Sequence, residues 1–209
     1  MESDTKKFNL KWFKNSNKVV IINGSGGSGK DTFVELCPLS YMNVSTIDPV
    51  KSAAKMLGWD SVKDEKSRKF LSDLKKIVTE YNDYCNTYIM DQYKIFSVDI
   101  NAVMFIHVRE PENIDIIKQM IPEAVTLLIT SDRVNKITSN DSDRRVEEYR
   151  YDYIIDNSST IEQLSNNHIK FMNDLYKDNF NDVYKIYGRM LLNGKRVSLN
   201  NDKSNYQIL

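Results

Sequence analysis

Cysteine and histidine are nearly missing: Cys37, Cys85, His107 and His168 are the whole supply, with no paired spacing among them. A disulfide framework and a Cys/His zinc cluster are both excluded as expectations, and a reducing, cytoplasmic setting fits the chain. Charge of one sign is also missing, since 29 Lys and Arg balance 29 Asp and Glu. Nucleic acid and anionic membrane, which a global positive field would gather, are therefore not expected partners, and any anion site must be local. No apolar run approaches the roughly 18 residues of a membrane span. The opening M-E-S-D-T-K-K-F-N-L-K carries charges where a signal peptide would carry an apolar core, so neither export nor insertion is expected. Glycine is the telling scarcity: the chain has seven, and four of them, Gly24, Gly26, Gly27 and Gly29, stand within six positions.

What remains is the composition of a folded protein, with 41% hydrophobic residues and 12 Tyr, 8 Phe and 2 Trp over 209 positions. At roughly 100–200 residues per domain the length suits one domain with additions. We divide it into an extension 1–17, a domain 18–177 and a second extension 178–209, which turns Asn-, Asp- and Lys-rich and holds a possible short helix at 183–192. Within the domain, Lys18 to Asn23 reads as a strand buried on both faces, the glycines follow, and Lys30 to Leu36 reads as helix. Further short apolar runs at 41–47, 103–108, 124–130 and 151–155 alternate with helical stretches, which predicts an open five-stranded parallel α/β sheet. Between the second and third strands a long helical insertion, about 49–97, carries Phe70, Leu71, Leu74, Ile77, Val78 and Tyr81 at one-face spacing. Between the fourth and fifth, 131–150 is polar and arginine-rich, too long for a plain connection, and reads as a mobile, anion-seeking segment. Ser159 and Glu162 fit a capping box opening a last helix.

Gly24 to Thr32 reads G-S-G-G-S-G-K-D-T and fits the phosphate-loop pattern G-x-x-x-x-G-K. Phosphate oxygens need several backbone N–H groups turned inward, and glycine permits both the close approach and the unusual dihedrals. Gly26, Gly27, Ser28, Gly29, Lys30, Asp31 and Thr32 are thus the candidate phosphate binders, with Lys30 bridging the outer phosphates. Asp31 stands where a Ser or Thr ordinarily ligates Mg²⁺, which makes it the candidate metal ligand, directly or through water.

Other candidates sit at strand ends, where open α/β sheets bind ligands. Asp48-Pro49-Val50-Lys51 follows the second strand and reads equally as an ordinary helix start. Arg109 closes the third strand and has the planar fork that suits phosphate. Glu112, behind it, either opens a solvated helix or faces the acceptor. Arg68 and Lys75 lie on the long helix, either as a solvated face or as acceptor ligands. His107 reads as a packed strand residue.

These pieces together resemble the phosphate-loop nucleoside monophosphate kinases, most closely those of bacteriophage type acting on deoxynucleotides, a group similar to animal phosphomevalonate kinase. The residues that carry the likeness are Ser28-Gly29-Lys30-Asp31-Thr32, Asp48-Pro49-Val50-Lys51 and Val108-Arg109-Glu110-Pro111-Glu112, within a span of roughly 18–164. The resemblance implies a phosphate-loop NTPase three-layer sandwich with a monophosphate-binding insertion and a lid at 131–150. It implies ATP on the loop with Mg²⁺, Asp48, Lys51, Arg68, Lys75, Arg109 and Glu112 around the acceptor, and Lys30, Arg109, Arg144 and Arg145 acting on the moving phosphoryl group. Small nucleotides are then the expected partners of a monomer or homodimer. Many members carry Asp two residues before the Arg of the third strand, where this chain has His107. Phosphomevalonate or another small phosphorylated acceptor is the alternative substrate, and an ATPase or a nucleotide-binding module the alternative class.

Overall fold

The computed structural model describes residues 17–62, 64–98, 102–133 and 145–176, and the backbone of two short strands near the end of the chain. Five strands run parallel: β1 (Lys18–Asn23), β2 (Tyr41–Ser45), β3 (Val103–His107), β4 (Val125–Thr130) and β5 (Tyr153–Asp156). Their order is β2-β3-β1-β4-β5, so the first strand is central and the chain crosses from one of its sides to the other between β3 and β4.

Helices cover both faces, which is why the strands read as continuous apolar runs rather than alternating ones. On one face Val20, Ile22, Val103, Phe105, Leu127 and Ile129 pack with Phe33 and Val34 of α1 (Lys30–Glu35) and with Leu164, Phe171 and Met172 of the last helix. On the other, Val19, Ile21, Met104, Ile106 and Leu128 meet two helices: Ile89 and Phe96 of α4 (Tyr84–Val98), and Ile114 and Ile117 of α5 (Pro111–Met120). The two residue sets alternate along each strand, as the pleat requires.

Three of the boundaries that differ from the sequence reading have a clear local reason. The second strand ends at Ser45 because the Asp48 carboxylate accepts the Ser45 N–H at 2.7 Å and turns the chain into α2 (Asp48–Met56). The fifth begins at Tyr153 because Asp152 is drawn sideways onto Thr126, accepting from its N–H at 2.8 Å and its hydroxyl at 3.0 Å. The last helix, α6 (Ile161–Leu175), is capped by Thr160, which accepts from Gln163 N–H at 3.3 Å, one residue later than the box at Ser159 and Glu162.

The helical insertion is α2, α3 (Glu65–Asn82) and α4, with Asp83 in a left-handed conformation (φ 51°) breaking the run between the last two. The apolar row of α3 is not core. No residue of this helix is buried, and Phe70, Ile77 and Tyr81 are 37%, 62% and 84% exposed. Its main packing is on α2 and α4, so Leu71, Leu74 and Val78 are half-covered and the rest of the row faces out. No described helix is long and apolar enough to cross a membrane. Residues 183–192, expected as a short helix, lie outside the described residues; beyond them β6 (Val197–Ser198) and β7 (Gln207–Ile208) pair antiparallel.

Candidate active site

Because β1 is central and flanked by β3 and β4, the loop after it opens at the middle of the sheet's carboxyl edge, where the strand order reverses. Gly24, Gly27 and Gly29 hold φ of 150°, 82° and 97°, conformations that side chains rarely allow, and the loop closes through Ser28 N–H donating to Ser25 O at 3.1 Å. Lys30 folds back along it, its Nζ donating to Gly24 O at 2.6 Å and Ser25 O at 2.8 Å. An ammonium is thereby stationed over a ring of backbone groups, and the first amides of α1 have no intrahelical acceptor. Ser28 Oγ is buried with no hydrogen-bond partner among the described residues. A glycine cradle, a lysine and an orphaned hydroxyl fit a phosphate chain, and these are the residues that would hold one.

Two asparagines that the sequence did not single out fix this loop. Asn23, fully buried at the end of β1, accepts Gly24 N–H at 2.8 Å and donates from Nδ2 to Arg109 O at 3.0 Å and to the Tyr151 hydroxyl at 2.8 Å. The Tyr151 hydroxyl in turn donates to Val146 O at 2.7 Å. From the other flank Asn157 donates to Ser28 O at 2.8 Å and is itself gripped by Arg133, whose Nη2 donates to Asn157 O at 2.5 Å and Oδ1 at 3.0 Å. Asn23 ends β1 and Asn157 directly follows β5, both at the carboxyl edge. Position was the only signal available, and it does not distinguish a loop anchor from an ordinary strand end.

The expected binding residues are distributed as follows. Gly26, Gly27, Ser28 and Gly29 form the loop; Asp31 and Thr32 are exposed on the first turn of α1. Arg109 is exposed at the carboxyl end of β3, directly beside the loop because β1 and β3 pair. Asp48 and Lys51 share the first turn of α2 at 3.7 Å, with Asp48 built into the turn from β2. Arg68 is exposed on the first turn of α3. Glu112 pairs with Arg145 at 2.6 Å, and Arg145 Nε also reaches Glu148 at 3.0 Å. Arg144 lies outside the described residues, as does most of 131–150; within the described part of that segment Val146 is buried in the core.

Lys75 has a definite partner. Its Nζ donates to both Glu110 oxygens at 2.7 Å and approaches Thr46 Oγ1 at 3.4 Å, joining α3 to the ends of β3 and β2. Burial acts to raise the Glu110 pKa, and the Lys75 charge, with hydrogen bonds from Lys75 and Asn113, outweighs it and holds the carboxyl below its usual range. With side chains only 14% and 25% exposed, breaking this pair strands a charge. Lys75→Met is expected to cost about 3 kcal/mol in urea unfolding at neutral pH, and Lys75→Met with Glu110→Gln less than the sum of the two single changes. Additive effects would show that the pair is not coupled. The stabilisation is present above the ordinary carboxylate pKa and is lost as pH falls through the lowered one.

Burial pushes both His107 and His168 down to about 4; for His107 the Asp31 charge opposes this, and Lys30, Lys51 and Arg109 reinforce it. Both are neutral at pH 7. Between about pH 6.5 and 4 the unfolded chain therefore binds up to two more protons than the folded one, so stability falls as pH falls across that window. Urea midpoints at pH 7 and 5 measure it, and equal midpoints would contradict the burial of both rings.

The parallel sheet of order β2-β3-β1-β4-β5 and the glycine loop between its first strand and helix define the α/β phosphate-loop NTPase fold. No family model and no curated protein matches the chain. Among solved structures it is similar to TT1252 of Thermus thermophilus (14% identity, 77% of this chain and 98% of that one, TM-score 0.45). It is similar over the same shares to dephospho-CoA kinase of Campylobacter jejuni (16% identity, TM-score 0.45). Shikimate kinase of Aquifex aeolicus aligns over 75% of this chain and 96% of its own (13% identity, TM-score 0.38).

Proposed function

We propose that the chain is a kinase that moves the terminal phosphoryl group of ATP onto a nucleoside monophosphate. The observation that carries this is the juxtaposition at the centre of the sheet: Lys30 over the glycine loop and Arg109 on the neighbouring strand end, with Asn23 bonded to both segments. Phosphoryl transfer asks little covalent chemistry of a protein, and positioned positive charge supplies most of the acceleration. An acceptor phosphate oxygen attacks the terminal phosphorus of ATP as the bond to the ADP oxygen breaks. No general base is needed, because a monophosphate oxygen is already a nucleophile at neutral pH. Lys30 and Arg109 neutralise the charge that develops on the moving group. Lys51 and Arg68, on the helical insertion numbered 49–97, face the acceptor side, and Arg145 joins them from the end of 131–150. Mg²⁺ bound with ATP would neutralise charge on its phosphates, and the carboxylate of Asp31, exposed beside the loop, is the donor that would hold it.

Coupled ADP release from the full chain with ATP and Mg²⁺, screened against each ribo- and deoxyribonucleoside monophosphate and phosphomevalonate, tests the reading. Acceptor-dependent ADP release with a nucleoside monophosphate supports it. Release that no acceptor changes would make the protein an ATPase, and release with phosphomevalonate alone would move the acceptor. In the active pair Arg109→Lys, which keeps the charge and loses the fork, is expected to reduce turnover about tenfold or more with ATP affinity little changed. Loss of ATP binding instead would put Arg109 on the donor side.

A further inference from the structure

Arg145 and Glu112 close a ring whose other side is Asn23. The Asn23 Nδ2 donates to the carbonyl of Arg109, three residues before Glu112, and to the hydroxyl of Tyr151. That hydroxyl holds the carbonyl of Val146, the buried neighbour of Arg145 in a single 3₁₀ turn (Arg145–Glu147). The Tyr149 hydroxyl donates to Asp115 at 2.9 Å, a second tie between this turn's segment and α5. Arg145 is thereby fixed beside the first turn of α5, with Nη1 2.6 Å from Glu112 Oε1 and Nε donating to Glu148 Oε2 at 3.0 Å. Both side chains of the Arg145–Glu112 pair stand partly in solvent, unlike those of Lys75 and Glu110. A nearly covered pair is costly to part; one that water reaches exchanges partners easily.

The guanidinium of Arg145 is a charge that the proposed transfer uses, yet two carboxylates of the chain itself occupy it. A group that takes it from them must offer negative charge. Water offers none, and the charge of ATP is already offset by Lys30 and the accompanying Mg²⁺, whereas an acceptor monophosphate adds a fresh dianion. We infer that Glu112 is a specificity-determining residue: it withholds Arg145 until a phosphorylated acceptor displaces it, so that a monophosphate is chosen over water. In the reaction thus suppressed, a water oxygen bonds to the terminal phosphorus, the bond to the ADP oxygen breaks, and a proton is released to solvent. Without the guanidinium that route lacks part of its charge stabilisation. The inference rests on the proposed kinase reading, and it replaces the contact with the acceptor that the resemblance implies for Glu112.

Two measurements on the full chain test it. In Glu112→Gln, ADP release from Mg·ATP without acceptor should rise about threefold, and the acceptor KM should fall by a similar factor, because one of the two competing charges is gone. A higher acceptor KM with no gain in hydrolysis would make Glu112 a ligand of the acceptor and overturn the inference, as would rates and KM equal to wild type. The second measurement needs no turnover. Protein grown on ¹⁵N-arginine is followed by NMR at the Nε–H of Arg145, assigned by its loss in Arg145→Lys. With Mg²⁺ and the β,γ-imido analogue of ATP bound, the resonance should stay in place, and it should move when a mixture of deoxynucleoside 5′-monophosphates is added. Movement with the analogue alone overturns the inference and leaves the kinase reading standing, and so does a resonance that the bound monophosphate does not move. Failure of the analogue and of ATP to bind overturns both. Should Glu112→Gln not fold, the labelled wild-type protein decides alone.

Discussion

Lys30→Met is expected to lower turnover by on the order of a hundredfold or more while the protein stays folded. The side chain contributes nothing to the core: its ammonium is spent on Gly24 O and Ser25 O, both on the loop it serves. Methionine keeps the stem and removes the charge. In the ground state ATP is already held by backbone amides, so the affinity for nucleotide should change less than the rate. Charge shifts toward the bridging oxygen during transfer, and an ammonium there is worth more to the transition state than to the bound substrate. Steady-state kinetics with separate ATP titration by calorimetry make the comparison. Turnover unchanged from wild type would remove the glycine loop from the mechanism.

Gly24→Ala should be as damaging by another route. A methyl at this position would sit 2.3 Å from the carbonyl oxygen of Ile129 and 2.6 Å from Ser28 Oγ. The serine hydroxyl can rotate; the Ile129 carbonyl cannot, because β4 is paired on both sides. The backbone is also in a region, φ 150°, that alanine tolerates poorly. Strain of about 2–3 kcal/mol follows. The loop can relieve it only by moving away from β4, which breaks the Asn23 contact to Gly24 N–H. Chemical unfolding should show the loss of stability, and nucleotide affinity should fall at least tenfold in the fraction that remains folded. Wild-type affinity and stability together would mean that the loop has a second conformation of equal energy.

The β1, β3 and β4 runs were legible because burial on both faces leaves an apolar signature that polar connections interrupt, and the glycine loop because glycine is otherwise so rare in this chain. The strand order was not. Nothing in the sequence of β3 states that it lies between β1 and β2; that follows from tertiary packing. The site anchors were illegible for a related reason. Asn23 and Asn157 reach backbone carbonyls and a tyrosine hydroxyl more than eighty residues away, and such partners leave no pattern around the asparagine itself. Lys75, read as a helix-face lysine, and Glu110, named only within the Val108 to Glu112 motif, form one unit because α3 lies against the ends of β2 and β3. The periodicity of the apolar row of α3 marked a face but not its burial, since spacing does not report what covers a face.

Asn23 precedes a glycine, and an Asn-Gly junction in a pliant chain loses ammonia spontaneously when the glycine nitrogen attacks the side-chain carbonyl carbon. Here that nitrogen is held, its hydrogen directed at Asn23 Oδ1 and the amide pinned at its other end to Arg109 and Tyr151. The native protein should age slowly at this junction and the unfolded chain quickly. The aspartate formed would set an anion against the Arg109 carbonyl, so the damage would not simply reverse on refolding. Deamidation at position 23, followed by peptide mass during storage, thus records the cumulative time that a preparation has spent with its first strand undone.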